Sequence, residues 1–330
     1  MAIALPCEHG TAVLRSVNGI LTTFYYNIYG SEIKRCGFYK ADADGNYSQA
    51  TLFTENNENV DIQYGGQRSM AVLPNGTIIV VISLYVPGGE GTSIKVRQST
   101  DWGETWGSFI TVVDTGSYGG EPRLELRKDS SGNLYIAIRY LGASRPFRMF
   151  KSVDNGLNWN EFSPPYTPNI YFNVLSMSIS ENRVYVIGTY VDYIDYVFVY
   201  NTYLWITDDG GETWTMETAP DDLRISRLAA NGNTVVFTSR YKDSSSIFYL
   251  HRSIDAGHTW TLLGDRKNTW PAFIEPLPGF DELENDSDVF VLTSSISYVE
   301  GSPNLGYLIS KDNGATWTPQ SSFVPRIIEG

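Results

Sequence analysis

The sequence predicts an all-β fold, a six-bladed β-propeller with four-stranded antiparallel blades, in a single domain spanning residues 1–330. Three observations lead to this prediction. An octet of constant pattern recurs along the chain, and short apolar runs separated by turn residues fill the intervals between its copies. Aromatic residues, which favour β-structure, make up 14% of the chain. The 3.6-residue period of amphipathic helices is almost absent.

The repeated octet has the pattern Ser/Thr-x-Asp-x-Gly-x-x-Trp. Its five good copies are STDWGETW at 99–106, SVDNGLNW at 152–159, TDDGGETW at 207–214, SIDAGHTW at 253–260 and SKDNGATW at 310–317. An altered sixth copy, KADADGNYS, runs from Lys40 to Ser48, with Tyr47 in the place of the tryptophan. The repeat period of about 50 residues lies in the range of propellers and repeat arrays.

The residue types of the octet fit a turn. Asp can accept hydrogen bonds from backbone N–H groups, Gly permits a positive φ, and Trp can bury its ring between neighbouring sheets. A catalytic role at all five good copies would require five equivalent sites. We therefore interpret Asp101, Trp106 and their equivalents as structural residues.

The intervals between the octets repeat as well. Each contains an apolar run, a Gly or Asn turn and a second β-rich run. These pairs of runs are AVLRSVNG-ILTTFYY, MAVLPNG-TIIVVIS, LELRKDSSG-NLYIAIRY, LSMSISEN-RVYVIGTY and RLAANG-NTVVFTS; in the sixth unit PAFIEPLPGF leads, after an acidic insertion, to DVFVLTSS. A third run leads into each octet, as SIKVRQ, FRMFK, YLWI, FYLHR or GYLI. Three strands, the octet turn and a shorter fourth strand make one blade.

A propeller ring is closed when a strand from one end of the chain pairs with the blade formed by the other end. The first blade begins near Thr11, so the segment MAIAL is a spare apolar strand. We expect this strand to pair into the last blade, beside the residues after Trp317, and so to tie the chain termini together.

Composition and charge exclude several classes of function. A formal net charge of −13 argues against a nucleic-acid partner, because phosphate binding depends on Lys and Arg. No apolar run approaches the ~20 residues of a membrane helix. The three histidines are scattered, and no nucleotide or phosphate motif occurs, so we expect no metal and no cofactor. The acidic segment FDELENDSD at 280–288 lacks EF-hand spacing and is expected to be a solvated loop.

The N-terminus lacks the basic and long apolar regions of a secretory signal. We expect an extracellular or virion-associated protein without a classical signal peptide, with a cytoplasmic location left open. Cys7 and Cys36 form either one bridge or two free thiols. The sequence leaves the oligomeric state open.

The octets resemble the Asp box, or BNR repeat, of the sialidase (neuraminidase) superfamily. The resemblance covers the chain from about residue 40 to residue 317. It implies that each box lies at the turn between the third and fourth strands of a blade, on the rim away from the substrate. Asp boxes also occur in other glycosidases, in non-catalytic lectin-like propellers and in assembly factors.

In a propeller, the starts of the innermost strands and the loops after the second strands form a central mouth. The repeat register places polar and aromatic residues there, namely His9, Arg68, Glu121, Arg123, Arg139, Arg224, Arg240, Tyr241 and Trp270. Because guanidinium binds carboxylate bidentately, the arginines predict a site for a carboxylate or another anionic group. Each arginine could instead pair with a rim acid such as Asp222 or Asp243.

The stretch YGGEPRLELRKDSSGNLYIAIRY at 118–140 carries the closest local likeness to sialidases, in the order of Glu121, Gly132 and Arg139. The resemblance implies that Glu121 polarises a nucleophilic tyrosine and that Arg139 is one of three arginines holding the substrate carboxylate. A neutral tyrosine (pKa ~10) is a poor nucleophile, so a nearby carboxylate is chemically apt as the proton acceptor. Tyr190 and Tyr193, in the predicted loop TYVDYIDY, are the candidate nucleophiles.

The first blade departs from the sialidase pattern. It reads EHGTAVLRS where sialidases have an Arg-Ile-Pro motif, with His9 near the place of that arginine. Only Glu32 is available where sialidases carry their proton-donor aspartate.

These features predict an exo-acting glycoside hydrolase of sialidase-like type that cleaves a terminal sialic acid or related acidic sugar from a glycan. One alternative is a non-catalytic carbohydrate- or receptor-binding propeller, for example on a phage tail; an assembly factor is a weaker one. Another is a two-carboxylate exo-glycosidase on a neutral sugar such as arabinose. Its carboxylates would be Glu121 with Glu32, Glu90, Asp192 or Asp195.

Overall fold

All regular elements described in the computed structural model are β-strands. The described residues are 13–16, 19–27, 34–41, 47–52, 59–61, 70–86, 91–101, 103–114, 122–140, 147–164, 172–194, 197–220, 223–241, 248–265, 282–286, 289–294 and 306–320. The chain divides into two compact units, one within residues 3–163 and the other within residues 164–330.

The unit within residues 3–163 contains three antiparallel sheets. Sheet 1 consists of β1 (Val13–Ser16), β2 (Gly19–Asn27), β3 (Lys34–Ala41) and β4 (Tyr47–Leu52). Sheet 2 consists of β5 (Asn59–Asp61), β6 (Met70–Val72), β7 (Ile78–Val86), β8 (Gly91–Ser99) and β9 (Ile110–Asp114). Sheet 3 consists of β10 (Pro122–Lys128), β11 (Leu134–Tyr140), β12 (Phe147–Ser152) and β13 (Asn160–Glu161).

The unit within residues 164–330 also contains three antiparallel sheets. Sheet 4 consists of β14 (Phe172–Ser180), β15 (Arg183–Ile194), β16 (Val197–Thr207) and β17 (Thr215–Thr218). Sheet 5 consists of β18 (Leu223–Asn231), β19 (Thr234–Tyr241), β20 (Phe248–Ser253) and β21 (Thr261–Asp265). Sheet 6 consists of β22 (Glu282–Asp286), β23 (Val289–Ser294), β24 (Gly306–Ser310) and β25 (Thr318–Gln320).

In five of these sheets the four strands follow one another in chain order. Sheet 2 differs because two short strands share one edge of β7: β6 pairs with Ile78–Val80, and β5 pairs with Ser83–Tyr85. The first position of this sheet is thus filled by two short strands, where the sequence predicts one.

Sheets 2 and 3 pack on each other through a core made mainly of aliphatic side chains, together with Phe150. Alternate residues of the second strands, Ile79 and Val81 on β7 and Leu134, Ile136 and Ile138 on β11, belong to one buried cluster. This alternation follows from the two-residue period of side chains along a strand. Each such side chain contributes about 1.5–3 kcal/mol when it leaves water.

Sheets 4 and 5 pack through a core that contains aromatic rings, among them Tyr185 and Phe237. Polar contacts cross the same interface. Three serines on β14 accept hydrogen bonds from backbone N–H groups of sheet 5: Leu228 donates to Ser176 (3.1 Å), Ala230 to Ser178 (2.9 Å) and Gly232 to Ser180 (2.7 Å). These bonds satisfy two N–H groups on the edge of β18 and one, that of Gly232, in the turn that follows it.

The β-rich runs that fall within the described residues are strands in the structure, and the octet lies between the last two strands of each of sheets 2 to 6. The prediction was wrong for the acidic segment at 280–288, because Glu282–Asp286 form β22 and pair with Val289–Thr293. Pairing in a sheet overrides the low intrinsic β-propensity of acidic residues. The segments MAIAL and PAFIEPLPGF lie outside the described residues.

Candidate functional site

The Asp box of sheet 3 is a hydrogen-bonded turn. Ser152 donates from Oγ to Asp154 Oδ1 (2.8 Å), and the N–H of Gly156 donates back to Ser152 Oγ (2.8 Å). Asp154 also accepts hydrogen bonds from the backbone N–H (2.9 Å) and the Nδ2 (2.7 Å) of Asn158. Both carboxylate oxygens are therefore engaged by the loop itself.

The same bonds recur in the other boxes. Asp101, Asp209, Asp255 and Asp312 each accept hydrogen bonds from the backbone N–H and the hydroxyl of the threonine four residues later. These bonds stabilise the charged carboxylate and lower the pKa of Asp101, Asp255 and Asp312 to about 2. An acid held in the ionised form by its own loop is a poor proton donor, so the boxes are structural.

The boxes of sheets 5 and 6 also contact the sheet that precedes them in the chain. A Cβ added at Gly257 of sheet 5 would lie 2.5 Å from Leu204 Cδ2 of sheet 4, and one at Gly314 of sheet 6 would lie 2.8 Å from Val236 Cγ2 of sheet 5. Trp159 and Trp260 pack against the cores of their units. The predicted placement of the tryptophan ring between neighbouring sheets is confirmed for these two boxes.

The strand register shows where the sequence-predicted arginines lie relative to the boxes. In sheet 3 the box serine Ser152 pairs with Leu134, and Arg139 lies five residues further along β11. In sheet 5 Ser253 pairs with Val235, and Arg240 lies five residues further along β19. At about 3.3 Å per residue, each arginine is about 17 Å from the box end of its sheet. We call this opposite end the far end.

Two pairs of predicted arginines come together at the far ends. Arg123 on β10 is the direct cross-strand partner of Arg139, and Arg224 on β18 is the direct cross-strand partner of Arg240. The two pairs occupy equivalent positions in sheets 3 and 5. Sequence reasoning selected all four residues but did not predict that they form two cross-strand pairs.

A tyrosine position next to these pairs repeats in three sheets. In each of these sheets one residue of the second strand pairs with the box Ser or Thr. Six residues further along that strand lies Tyr140 in sheet 3, Tyr190 in sheet 4 and Tyr241 in sheet 5. The sequence prediction names Tyr190 and Tyr241 as site residues, and the repeat register also places Tyr140, beside Arg139, at the predicted mouth.

Tyr190 and Tyr193 lie in a strand. Residues 189–194, predicted as part of a loop, continue β15, which pairs with β16 as far as Ile194 opposite Val197. The reason is the content of Tyr, Val and Ile, which favour an extended chain. Tyr190 pairs with Phe172 on one side and Asn201 on the other, whereas Tyr193 pairs with Phe198 near the tip of the hairpin.

Five predicted site residues lie outside the described residues. They are His9, Glu32, Arg68, Glu121 and Trp270. Glu121 immediately precedes Pro122, which pairs with Tyr140 at the far end of sheet 3.

Within the described ranges, no group of three His, Cys, Asp or Glu side chains is arranged to hold a metal ion. The part of the chain that the structure describes contains no helix with the length and apolar character needed to cross a membrane.

Sequence comparison matches the BNR/Asp-box repeat family at residues 205–216, which include the whole box of sheet 4. No curated protein matches the chain by sequence.

Solved structures similar in fold cover most of the chain at low sequence identity. The α-L-arabinanase of Penicillium chrysogenum, complexed with arabinobiose, is 15% identical, with a TM-score of 0.56 and 92% of each chain covered. The α-L-arabinofuranosidase of Fusarium graminearum, in complex with an iminosugar inhibitor, is 14% identical, with a TM-score of 0.56 and 92% of each chain covered. An ulvan lyase bound to -[GlcA(1-4)Rha3S]- is 11% identical, with a TM-score of 0.58 and 98% of this chain and 84% of that chain covered. Together with the four-stranded antiparallel sheets and the Asp boxes, these similarities indicate a β-propeller-like fold.

Proposed function

We propose that this chain is a glycan-acting enzyme, an exo-acting glycoside hydrolase of sialidase-like type that cleaves a terminal sialic acid or related acidic sugar. The observation that carries the proposal is the placement of Arg123 opposite Arg139 and of Arg224 opposite Arg240, at the ends of their sheets that lie away from the Asp boxes. Guanidinium groups at such a position offer bidentate hydrogen bonds to a sugar carboxylate.

The structural similarities support a glycan as the partner. The similar structures are of an arabinanase, an arabinofuranosidase and a polysaccharide lyase, and two of them hold an oligosaccharide. All three proteins are named for an action on carbohydrate. For this chain we propose the same class of ligand.

In the proposed site Glu121 removes the proton from a tyrosine nucleophile, Tyr190 or Tyr193, and Glu32 donates the proton to the leaving group. The arginines Arg68, Arg123, Arg139, Arg224 and Arg240 hold the acidic substituent. His9, Tyr241 and Trp270 contact the sugar, the aromatic rings by stacking on its apolar faces.

A second candidate function is a two-carboxylate exo-glycosidase on arabinose. It is favoured by the similarity to the arabinanase and the arabinofuranosidase, and the low identity of both leaves the choice of sugar to experiment. In this case Glu121 and a second acid act together across the glycosidic bond.

We also propose that the six sheets are the blades of a single six-bladed propeller spanning residues 1–330. The consecutive strand order within five of the sheets and the coverage of the similar structures support this proposal. A crystal structure with another number of blades would contradict it.

The test of the function is hydrolysis of a fluorogenic panel of sialosides, arabinofuranosides and related glycosides by the full chain and by Glu121→Gln. The matched control is Glu125→Gln, which removes a carboxylate from the same strand region where it pairs with Arg127 at 2.9 Å. We expect turnover on an acidic glycoside that falls at least ~100-fold in Glu121→Gln and is retained in Glu125→Gln. Turnover on arabinofuranosides alone would select the second candidate. Glycan-array binding without turnover on any substrate would contradict both and identify a non-catalytic binding propeller.

A further inference from the structure

Sheet 5 buries polar atoms that have no hydrogen-bond partner on the face that packs against sheet 4. They are His251 Nε2, Ser239 Oγ and Trp260 Nε1. In the boxes of sheets 3 and 6 the tryptophans Trp159 and Trp317 donate this same N–H to the carbonyl of the box glycine, at 3.0 Å in both cases. A buried polar atom without a partner costs stability, because the bond that it makes to water in the unfolded chain is not replaced. The box region of sheet 5 therefore lacks bonds that its counterparts make.

The most consequential of these atoms belongs to His251, because its ring can take up a proton. His251 pairs with Phe237 across β19 and β20, and the two rings stack with centroids 4.7 Å apart. The Tyr249 ring lies 6.2 Å away, and the partner of His251 on β21 is Leu262. Burial in these surroundings lowers the pKa of His251 from 6.5 to about 4.

Ionisable groups reach the surroundings of His251 from both sheets. Asp265 pairs with Tyr249 at the end of β21, and Arg252 lies on the other face of β20, where it donates to the Asn313 carbonyl of sheet 6 (3.0 Å). The groups on sheet 4 and in the box are engaged with one another or with the backbone, Tyr185 with the Gly232 carbonyl, Glu217 with His258, Arg183 with Asp208 and Asp255 with Thr259. Among the described side chains, none accepts a hydrogen bond from His251 Nε2. A positive charge on this ring would therefore have no partner there.

The first strand of sheet 5 is held to sheet 4 by bonds that acid leaves intact. The serine hydroxyls of β14 accept hydrogen bonds from backbone N–H groups of β18 and of the turn after it, and neither kind of group titrates between pH 7 and pH 4.

The last two strands of sheet 5 and the box between them form a hairpin at the edge of the sheet, residues 248–265, which we call the outer hairpin. Its pairing is irregular at His251, because the register between β20 and β21 shifts between Leu250 and His251. Its box holds Ala256 at φ 59°, a conformation that alanine rarely adopts. Segments that open locally often coincide with such supersecondary units.

We propose that the outer hairpin is an acid-responsive element: protonation of His251 releases it from β19 and from sheet 4, while β18 stays bound to β14. A charged imidazole needs water, and unpairing the edge hairpin brings His251 to water without disturbing β18. The release breaks the bond from Arg252 to Asn313 and the pair of His258 with Glu217, and it uncovers Phe237. When the pH returns to neutral, the ring loses its proton and the hairpin pairs again. The proposal is independent of the proposed glycan chemistry.

The test is hydrogen–deuterium exchange of the full chain at pH 7.0 and pH 4.5, read by mass spectrometry and expressed as protection factors, which removes the intrinsic pH dependence of exchange. His251→Leu replaces the ring by a side chain that does not titrate, and His251→Gln is a second such variant should the first fail to fold. The matched control is His258→Gln, which removes the histidine of the same box that pairs with Glu217 at the surface.

We expect the protection of residues 248–265 in the full chain to fall about 30-fold or more between pH 7.0 and pH 4.5. The reason is that the open form takes up a proton near pH 6.5 and the closed form only near pH 4, so each pH unit between them favours the open form by up to about tenfold. The protection of β18 should fall less than about 3-fold, and the outer hairpin should respond equally little in His251→Leu and His251→Gln. His258→Gln should keep the full response.

Three results would overturn the proposal. The first is an unchanged acid response of the outer hairpin in the folded His251 variants. The second is an equal loss of protection in β18 and in the outer hairpin, which would mean that the sheet unfolds as a whole. The third is loss of the response in His258→Gln, which would assign it to the surface pair.

Discussion

The box end and the far end of the sheets differ in how far their residues recur from one sheet to the next. At the box end, the same aspartate, glycine and tryptophan recur in sheets 2 to 6, and each aspartate accepts hydrogen bonds from the residue four positions later in its own loop. At the far end, the position held by Arg139 in sheet 3 is Thr189 in sheet 4, Arg240 in sheet 5 and Ser83 in sheet 2. Features common to all repeats maintain the scaffold, whereas features restricted to one or two repeats indicate a ligand site. The predictions below test this distinction at the box end, where substitutions should change stability and leave ligand binding unchanged.

The largest effect is expected from Gly257→Ala. Gly257 has a φ of +96°, and an added Cβ would lie 2.5 Å from Leu204 Cδ2 of the neighbouring sheet, so strain and overlap combine. We expect a loss of about 2–4 kcal/mol in the free energy of unfolding, measured by denaturant titration. Gly76→Ala is the matched control: its φ is +84° with nothing within 4 Å of the added Cβ, so the loss is about 1 kcal/mol. Equal losses in the two variants would show that the box does not depend on close packing against its neighbour.

The next effect is a pH dependence of stability that arises at His251, two residues before the box of sheet 5. Burial against Phe237, whose ring stacks 4.7 Å away, lowers the pKa of His251 from 6.5 to about 4. As the pH falls below about 6.5 the unfolded chain takes up a proton before the folded chain does, so stability decreases until about pH 4. The loss is up to roughly 3 kcal/mol over this range.

The check is the free energy of unfolding at pH 7 and pH 4.5 for the full chain and for His251→Leu. The decrease should be smaller in the variant. The box aspartates lose their contribution only at lower pH, between their ordinary pKa of 3.8 and about 2, so they do not obscure this window. An unchanged decrease in His251→Leu would assign the acid sensitivity to other groups.

A smaller loss is expected from Asp154→Ala, which removes the acceptor of four hydrogen bonds, one each from Ser152 and Leu157 and two from Asn158. The free energy of unfolding should fall by about 1–3 kcal/mol, because the loop donors lose their partner. Val153→Ser, at the adjacent position with a 69% exposed side chain, should change it by less than about 0.5 kcal/mol. An unchanged free energy of unfolding in Asp154→Ala would show that the box aspartate does not stabilise the fold.

The smallest effect is a stabilisation. The fourth box position has a positive φ and is Asn155 in sheet 3 and Asn313 in sheet 6, whereas sheet 5 has Ala256 at φ 59°. Because Asn tolerates the left-handed region better than Ala, Ala256→Asn should raise the free energy of unfolding by about 0.5–1 kcal/mol. Asn155→Ala should lower it by a similar amount. A change of the same sign in the free energy of unfolding of both variants would contradict this explanation.

The sequence was most informative about the local structures that recur along the chain. The octets located the turn before the last strand of sheets 2 to 6, and the runs between the octets located most strands. Both succeed because local hydrogen bonding and the two-residue burial period act over short distances. Glu282–Asp286 could not be recognised as a strand from their own residues, because their pairing partner, not their propensity, makes them extended. The two short strands β5 and β6 were also not predictable from their own residues, because both are strands through their pairing with β7.

The candidate site was predictable as a set of residues but not as pairs. Arg123, Arg139, Arg224 and Arg240 were found from their places relative to the boxes. Which arginine faces which depends on cross-strand register, and a shift of one residue would change every partner. Sheet 5 illustrates the difficulty, because an irregularity between Ile225 and Arg227 changes the register between the paired arginines and the turn.

The most direct test of the account measures stability and glycan turnover together in two variants, one from each end. We predict that Glu121→Gln abolishes turnover and keeps the free energy of unfolding, whereas Asp154→Ala lowers the free energy of unfolding and keeps the kcat/KM of the folded protein. The reverse pattern, with turnover lost in folded Asp154→Ala and retained in Glu121→Gln, would place the chemistry at the box end and contradict the account.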